Sequence, residues 1–147
     1  MTFRPLLLAA AASALAWPAA TQPPTPAPSC TAKSAKLIAV NALAANPAAY
    51  SGTCVRLKGF WRDFGFYPTN AEAGVIDALS IAYLDGRRVG LYLSAADLAR
   101  APKSPAAASV YGTAGACEAL GDPSKLTGYC AYKPGAYVAV AGIELSR

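Results

Sequence analysis

The chain of 147 residues contains no histidine. That absence removes Ser-His-Asp and Cys-His catalysis, His-ligated metals and the usual general base near neutral pH. A hydrolase would need a Ser-Lys or paired-carboxylate set instead, and neither is assembled. Ser34-Ala35-Lys36 has the wrong spacing for S-x-x-K, and Asp63, Glu72, Asp77, Asp85, Asp97, Glu118, Asp122 and Glu144 stand singly. The glycine-rich stretch Gly112-Thr113-Ala114-Gly115 lacks the lysine of a phosphate-binding loop. Charge is sparse, at 14% of residues, with no run of five or six of one sign to sharpen a charge-based choice of partner. No cysteines lie at C-x-x-C or C-x2-4-C spacing, which argues against a thioredoxin-like redox centre and a zinc knuckle. Together these absences imply no catalytic set, no cofactor and no metal. The chain reads as a binding or scaffold module rather than an enzyme.

What is present begins with an export signal. Met1 to Arg4 supplies a short basic start, Leu6 to Ala16 is an apolar run, and Ala14-Leu15-Ala16 is an A-x-A cleavage site. Residues 1–16 therefore read as a secretory signal peptide. The run is well short of the roughly 20 residues of a spanning helix, so the chain is not expected to cross a membrane. The destination is periplasmic or secreted. Residues 17–29 carry prolines at 18, 23, 24, 26 and 28 and read as an extended Pro/Ala-rich linker. Residues 30–147 have the size of one domain with one core. Removing Arg4 with the signal leaves a net charge of about +4, a mild bias toward an acidic partner.

Four cysteines remain: Cys30, Cys54, Cys117 and Cys130. An even count in an oxidising compartment predicts two disulfides. Of the three pairings available, Cys30–Cys54 and Cys117–Cys130 are favoured, because each closes a local loop between neighbouring predicted elements.

Periodicity supplies the elements. A helix is expected over Ser34–Ala45, capped by Ser34 and stopped by Asn46-Pro47. Cys54 to Arg62 is the leading strand, with Val55, Leu57 and Trp61 on one face and Arg56, Lys58, Phe60 and Arg62 on the other. Gly59 breaks the alternation, as in a curved barrel strand. The aromatic stretch Trp61 to Tyr67 either caps one barrel end or forms a stacking surface for a planar or sugar ligand, and Pro68 to Ala71 reads as a loop. Runs at Val75–Asp85 and Val89–Ser94 around Asp85-Gly86 predict a hairpin, with Arg87 and Arg88 as solvated turn charges. Ser94 to Asp97 resembles a capping box for a short helix through Arg100. Lys103–Ala107 reads as loop and Ser109–Glu118 as a strand; Thr127–Tyr132 and Ala136–Leu145 read as a last hairpin around Lys133-Pro134-Gly135. About six strands and two short helices, one N-terminal and one inserted, predict a mainly β, mostly antiparallel barrel.

Two stretches resemble a family pattern. Asn46-Pro47-x-x-Tyr50-x-Gly52-x-x-Val55-x-Leu57-x-Gly59-Phe60 resembles the opening of small exported OB-fold-like domains, in which a helix ending in Asn-Pro feeds the first barrel strand. Gly128-Tyr129-Cys130-x-Tyr132 with Val138-x-Val140 resembles the C-terminal segment of short, uncharacterised bacterial envelope proteins. In some of those a histidine follows the Gly-Tyr-Cys triplet, and here that position is Ala131. The resemblance implies an OB-like barrel over Lys36–Leu145.

The candidate contact surface is Arg56, Lys58, Phe60 and Arg62, with Tyr92 across a neighbouring strand. Basic residues interleaved with rings fit a polyanionic or glycan component of the envelope, whereas the export signal and weak basicity count against nucleic acid. The alternative is a protein-assembly or inhibitor module using an apolar surface, including an uncovered edge at Ala136–Leu145. An envelope enzyme working without histidine is the third reading.

Overall fold

A computed structural model describes residues 22–75, 85–132 and 134–146. The predicted signal peptide, and the first arm of the Asp85-Gly86 hairpin apart from its two ends, lie outside these residues. The chain is mainly β. Its strands are β1 (Lys36–Leu37), β2 (Cys54–Arg62), β3 (Gly65–Tyr67), β4 (Val89–Tyr92), β5 (Ala106–Ala116) and β6 (Ala136–Leu145). Among the described residues three short helices accompany them: α1 (Val40–Ala45), α2 (Asn70–Ala73) and α3 (Ala95–Ala99).

Five strands close on themselves in the order β2-β3-β4-β6-β5-β2, and β1 is an extra strand beside the start of β2. The β1–β2 and β4–β6 pairs are parallel and the other four antiparallel. Closure follows from β2, which pairs with β5 from Cys54↔Thr113 to Trp61↔Ala106 and with β3 at its far end. Alternation along β2 holds as the pattern predicts: Val55, Leu57 and Trp61 are fully buried, while Arg56, Lys58, Phe60 and Arg62 lie on the outer face. Gly59 permits the bend, since a Cβ there would meet the Tyr67 carbonyl oxygen at 2.3 Å.

The core is a single cluster in which Leu57, Trp61, Phe66, Leu91, Val110 and Val138 are among the inward side chains, and α1 closes it with Val40, Leu43 and Ala44. A bulge in β6 places Ala141 opposite no residue of β5, since Tyr111 pairs with Gly142 and Gly112 with Val140. The inward phase therefore shifts from Val138 and Val140 to Ile143. Both disulfides form as the loop argument predicts, Cys30–Cys54 and Cys117–Cys130.

Several elements differ from the sequence reading. The first helix starts at Val40, not Ser34, and its N-cap is Ala39. Lys36 and Leu37 instead pair with Val55 and Arg56 as β1, leaving Leu37 exposed. The helical spacing of Leu37 and Val40 does not decide here, because parallel pairing with β2 satisfies the backbone first. Ser34 hydrogen-bonds Thr31 and Ser29 in the turn beside the first disulfide. The loop expected at Pro68–Ala71 opens α2, because the Thr69 side chain accepts from the Glu72 amide. Strand β5 begins at Ala106, earlier than expected, and ends at Ala116. Thr127–Tyr132 is not a strand but a connection with a 3-10 turn at Tyr129–Ala131. Strand β6 pairs with β5 along its length and with β4 over Ala136–Ala139, so the edge expected to be open there is covered on both sides. Val89 and Gly90 are likewise bordered by β3 and β6. The Ser94 cap on α3 holds, with its hydroxyl accepting from the Asp97 amide.

Candidate functional site

The five residues predicted as a contact surface do not act together. Arg56 donates through Nε to Ser109 Oγ at 2.8 Å and through Nη2 to Glu144 Oε2 at 2.6 Å, so its charge is matched within the barrel wall. Lys58 is exposed between Arg56 and Phe60, which pairs in register with Tyr67 and Ala107. Arg62 turns away toward α2, donating to the carbonyls of Ala73 at 3.0 Å and Val75 at 3.4 Å. Tyr92 lies on β4, where its hydroxyl donates to the Thr127 carbonyl at 3.0 Å and accepts from the Cys130 amide at 3.3 Å. It is a clamp on the β5–β6 connection, and its ring meets that of Tyr137 edge-on at 5.4 Å.

A concavity lies elsewhere, against β3 and beside the start of β4. It is an open cavity of about 390 Å³, lined among the described residues by Arg62, Asp63, Phe64, Gly65, Tyr67 and Val75 and by Arg88, Gly128, Tyr129 and Tyr132. Such a volume falls at the low end of small-molecule sites, roughly 300–1,000 Å³. Only Arg62 of the predicted five lines it.

Local rules build this wall. Outward positions of β3 and β4 carry two paired glycines, Gly65 and Gly90. The missing side chain at Gly90 is the seat of Tyr129: a Cβ there would lie 2.0 Å from the ring. The β5–β6 connection is fixed in that seat by the Cys117–Cys130 disulfide and by the Tyr92 hydroxyl. Asp63, at the β2–β3 turn, adopts a left-handed φ of 48°, which aspartate tolerates better than most residues. Its carboxylate is held by Lys103 Nζ at 2.8 Å. Phe64 and Tyr132 stand exposed at the rim, Tyr132 at 84%.

Arg88 is the residue the sequence reading misplaced. Expected as a solvated turn charge, it is 8% exposed. Its Nη2 reaches Asp85 Oδ1 at 3.3 Å, and its guanidinium lies 5.9 Å from the centre of the Tyr129 ring. Its Nε is buried without a hydrogen-bond partner among the described residues. Burial pushes the Tyr129 hydroxyl above its ordinary value, against the opposing pull of Arg88. Burial also raises the hydroxyls of Tyr92 and Tyr137. These groups are therefore neutral donors and acceptors at physiological pH.

The sequence signal for this site was faint but present. The run Phe64 to Tyr67 carries its rim, and Gly90, isolated in a strand, marks a place where another group approaches closely. Trp61 and Phe66 of the same aromatic stretch are core instead. Among the described residues no group of three His, Cys, Asp or Glu side chains converges as metal ligands would, and no helix is long and apolar enough to cross a membrane. No protein-family model, curated protein or solved structure matches the chain.

Proposed function

We propose that the chain is an exported, non-enzymatic binding module of the cell envelope, built on an OB-type barrel, which takes a ring-bearing glycan in the arginine–aromatic cavity. The strand order supports the barrel type: five strands in a Greek key, with a short helix between the third and fourth. OB barrels bind oligosaccharides and oligonucleotides on the face of their second and third strands, flanked by the first and last loops. Counted around this barrel, those are β3, β4, the β2–β3 turn and the β5–β6 connection. The cavity is lined by the β2–β3 turn, β3 and the β5–β6 connection, with Arg88 just before β4, and this single observation carries the reading. Two disulfides and the signal-like start support export. The same export signal, with one modest basic cavity, argues for a glycan over a nucleic acid.

The apolar-interface alternative has less support. Exposed Leu37, Leu98 and Leu145 are on different elements, and the β6 edge is covered over Ala136–Ala139.

Binding of neutral and acidic oligosaccharides by calorimetry tests the proposal. Phe64→Ala and Tyr132→Ala remove exposed rim rings, so each should weaken binding by about fivefold or more, the effect of a contact worth ~1 kcal/mol. A full set of sugars that bind neither the wild type nor the variants would sink it.

A further inference from the structure

Among the described residues Arg88 is the one buried side-chain group left with a donor unmet. An arginine nine-tenths buried normally spends its planar fork on carboxylates or carbonyls. Here Nη2 lies 3.3 Å from the half-exposed Asp85, the guanidinium rests on the face of Tyr129 and interacts with its hydroxyl, and Nε alone is left unmet. A buried orphan donor is costly, and native proteins hold only a few. Arg62, the other arginine of the cavity, differs: its Nη1 is committed to two backbone carbonyls and its Nε faces Asp63 Oδ2 at 3.7 Å. One guanidinium therefore braces the wall and the other is underused.

We infer that Arg88 is an anion reader, so that the cavity selects a sugar ring bearing one oxyanion, a carboxylate or a phosphate, over its neutral counterpart. This rests on the glycan-binding reading above and specifies its ligand. The Nε–H is closed to water, so the oxyanion meets it by a turn of the guanidinium toward the cavity. That turn exchanges one contact with Asp85 for the two parallel bonds that an arginine fork makes with an oxyanion. Tyr67, Tyr129 and the rim rings Phe64 and Tyr132 supply apolar faces for the sugar, and Tyr129 stays in its Gly90 seat while the guanidinium turns.

Three probes that differ only at one carbon separate the terms: glucose, glucuronate and glucose 6-phosphate. Each is titrated into the protein at one ionic strength, with binding followed by amide shifts and by the arginine Nε–H resonance assigned through Arg88→Lys. Glucuronate or glucose 6-phosphate should bind roughly 10- to 100-fold tighter than glucose, the range of a charge-assisted hydrogen bond. The Arg88 Nε–H signal should move with the acids and stay still with glucose. Whichever acid binds tighter identifies carboxylate or phosphate as the natural group. Arg88→Met should bring the acids down to the affinity of glucose. Equal affinity for all three, or acid binding that leaves the Nε–H signal unmoved, overturns the anion reading while leaving a sugar-binding cavity in place. Failure of all three probes and of their longer oligomers overturns both.

Discussion

Replacing Gly90 by alanine tests the construction of the site most directly. Gly90 is held on both edges of β4, by Gly65 and by Tyr137, so its backbone has no freedom to withdraw. A Cβ there would lie 2.0 Å from Tyr129 Cδ1, where ordinary contact begins near 3.4 Å, so the ring must retreat by about 1.4 Å. Overpacking of this kind costs typically ~1–3 kcal/mol. Tyr129→Ala alone removes a partly buried ring and its contact with Arg88, and should cost about 2 kcal/mol. In the double variant the new methyl group enters space the ring has left. The pair should therefore cost less than the sum of the single changes, by about 1–2 kcal/mol. Urea denaturation of the wild type, both single variants and the double variant gives the four midpoints needed. Additivity within about 0.3 kcal/mol would mean that Tyr129 does not sit in the Gly90 socket, and the cavity wall described above would be wrong.

Tyr92→Phe should cost about 1–2 kcal/mol by removing two hydrogen bonds, and should speed hydrogen exchange at the Cys130 amide; an unchanged exchange rate there would dismiss the clamp. Removing either disulfide, Cys30–Cys54 or Cys117–Cys130, should cost ~3 kcal/mol on loop-entropy grounds, seen as a shifted denaturation midpoint. Only the second should also weaken ligand binding, because only it anchors the connection that carries Tyr129 and Tyr132, and an equal loss from both would count against that role. Burial pushes the Asp97 carboxyl up, but the Ser94 hydroxyl and Arg100 outweigh it and hold the group below its ordinary value. The stabilisation is thus present above the unfolded value of about 3.9 and is lost as pH falls through the folded one, so Asp97→Asn should flatten the stability profile below about pH 4; parallel profiles would refute this.

The parts of the fold legible in the sequence are those that local rules decide. Strand β2 could be read because its alternation is strict and its buried face holds Val55, Leu57 and Trp61. The Ser94 cap was readable because capping involves only four residues, and the two disulfides because their loops are short. What could not be read depends on distant partners. Lys36 and Leu37 have helical spacing but join β2, a pairing that no local residue announces. Tyr129 and Tyr132 sit in an alternating run that reads as a strand, yet the Gly90 socket and the Cys117 bridge draw Tyr129 out of the sheet. Arg88 follows a turn, where charge is ordinarily solvated, and it is buried because Tyr129 lies over it. The site was hidden for the same reason: its wall includes Tyr129 of the β5–β6 connection, about 40 residues beyond Gly90, the position it covers.

That hidden arginine poses a question of stability that a final substitution answers. Arg56 is matched by Glu144, Arg100 by Asp97 and Lys103 by Asp63. Arg88 has one ion pair, the 3.3 Å contact to Asp85, besides its place over Tyr129, and desolvating a guanidinium costs more than one such pair returns. If Arg88 were present for the fold, removing it should destabilise the protein. If it is present for a ligand, Arg88→Met should be neutral or stabilising, because methionine fills similar volume beneath Tyr129 and removes a buried charge with an unmet donor. Chemical denaturation of Arg88→Met beside the wild type, both without ligand, reads this term alone. An unchanged or higher midpoint, together with loss of the preference for glucuronate, would show a residue kept at a cost in stability. A midpoint lowered by more than about 1 kcal/mol would make Arg88 a brace for the β5–β6 connection, and its orphan donor would then be a tolerated defect rather than a binding group.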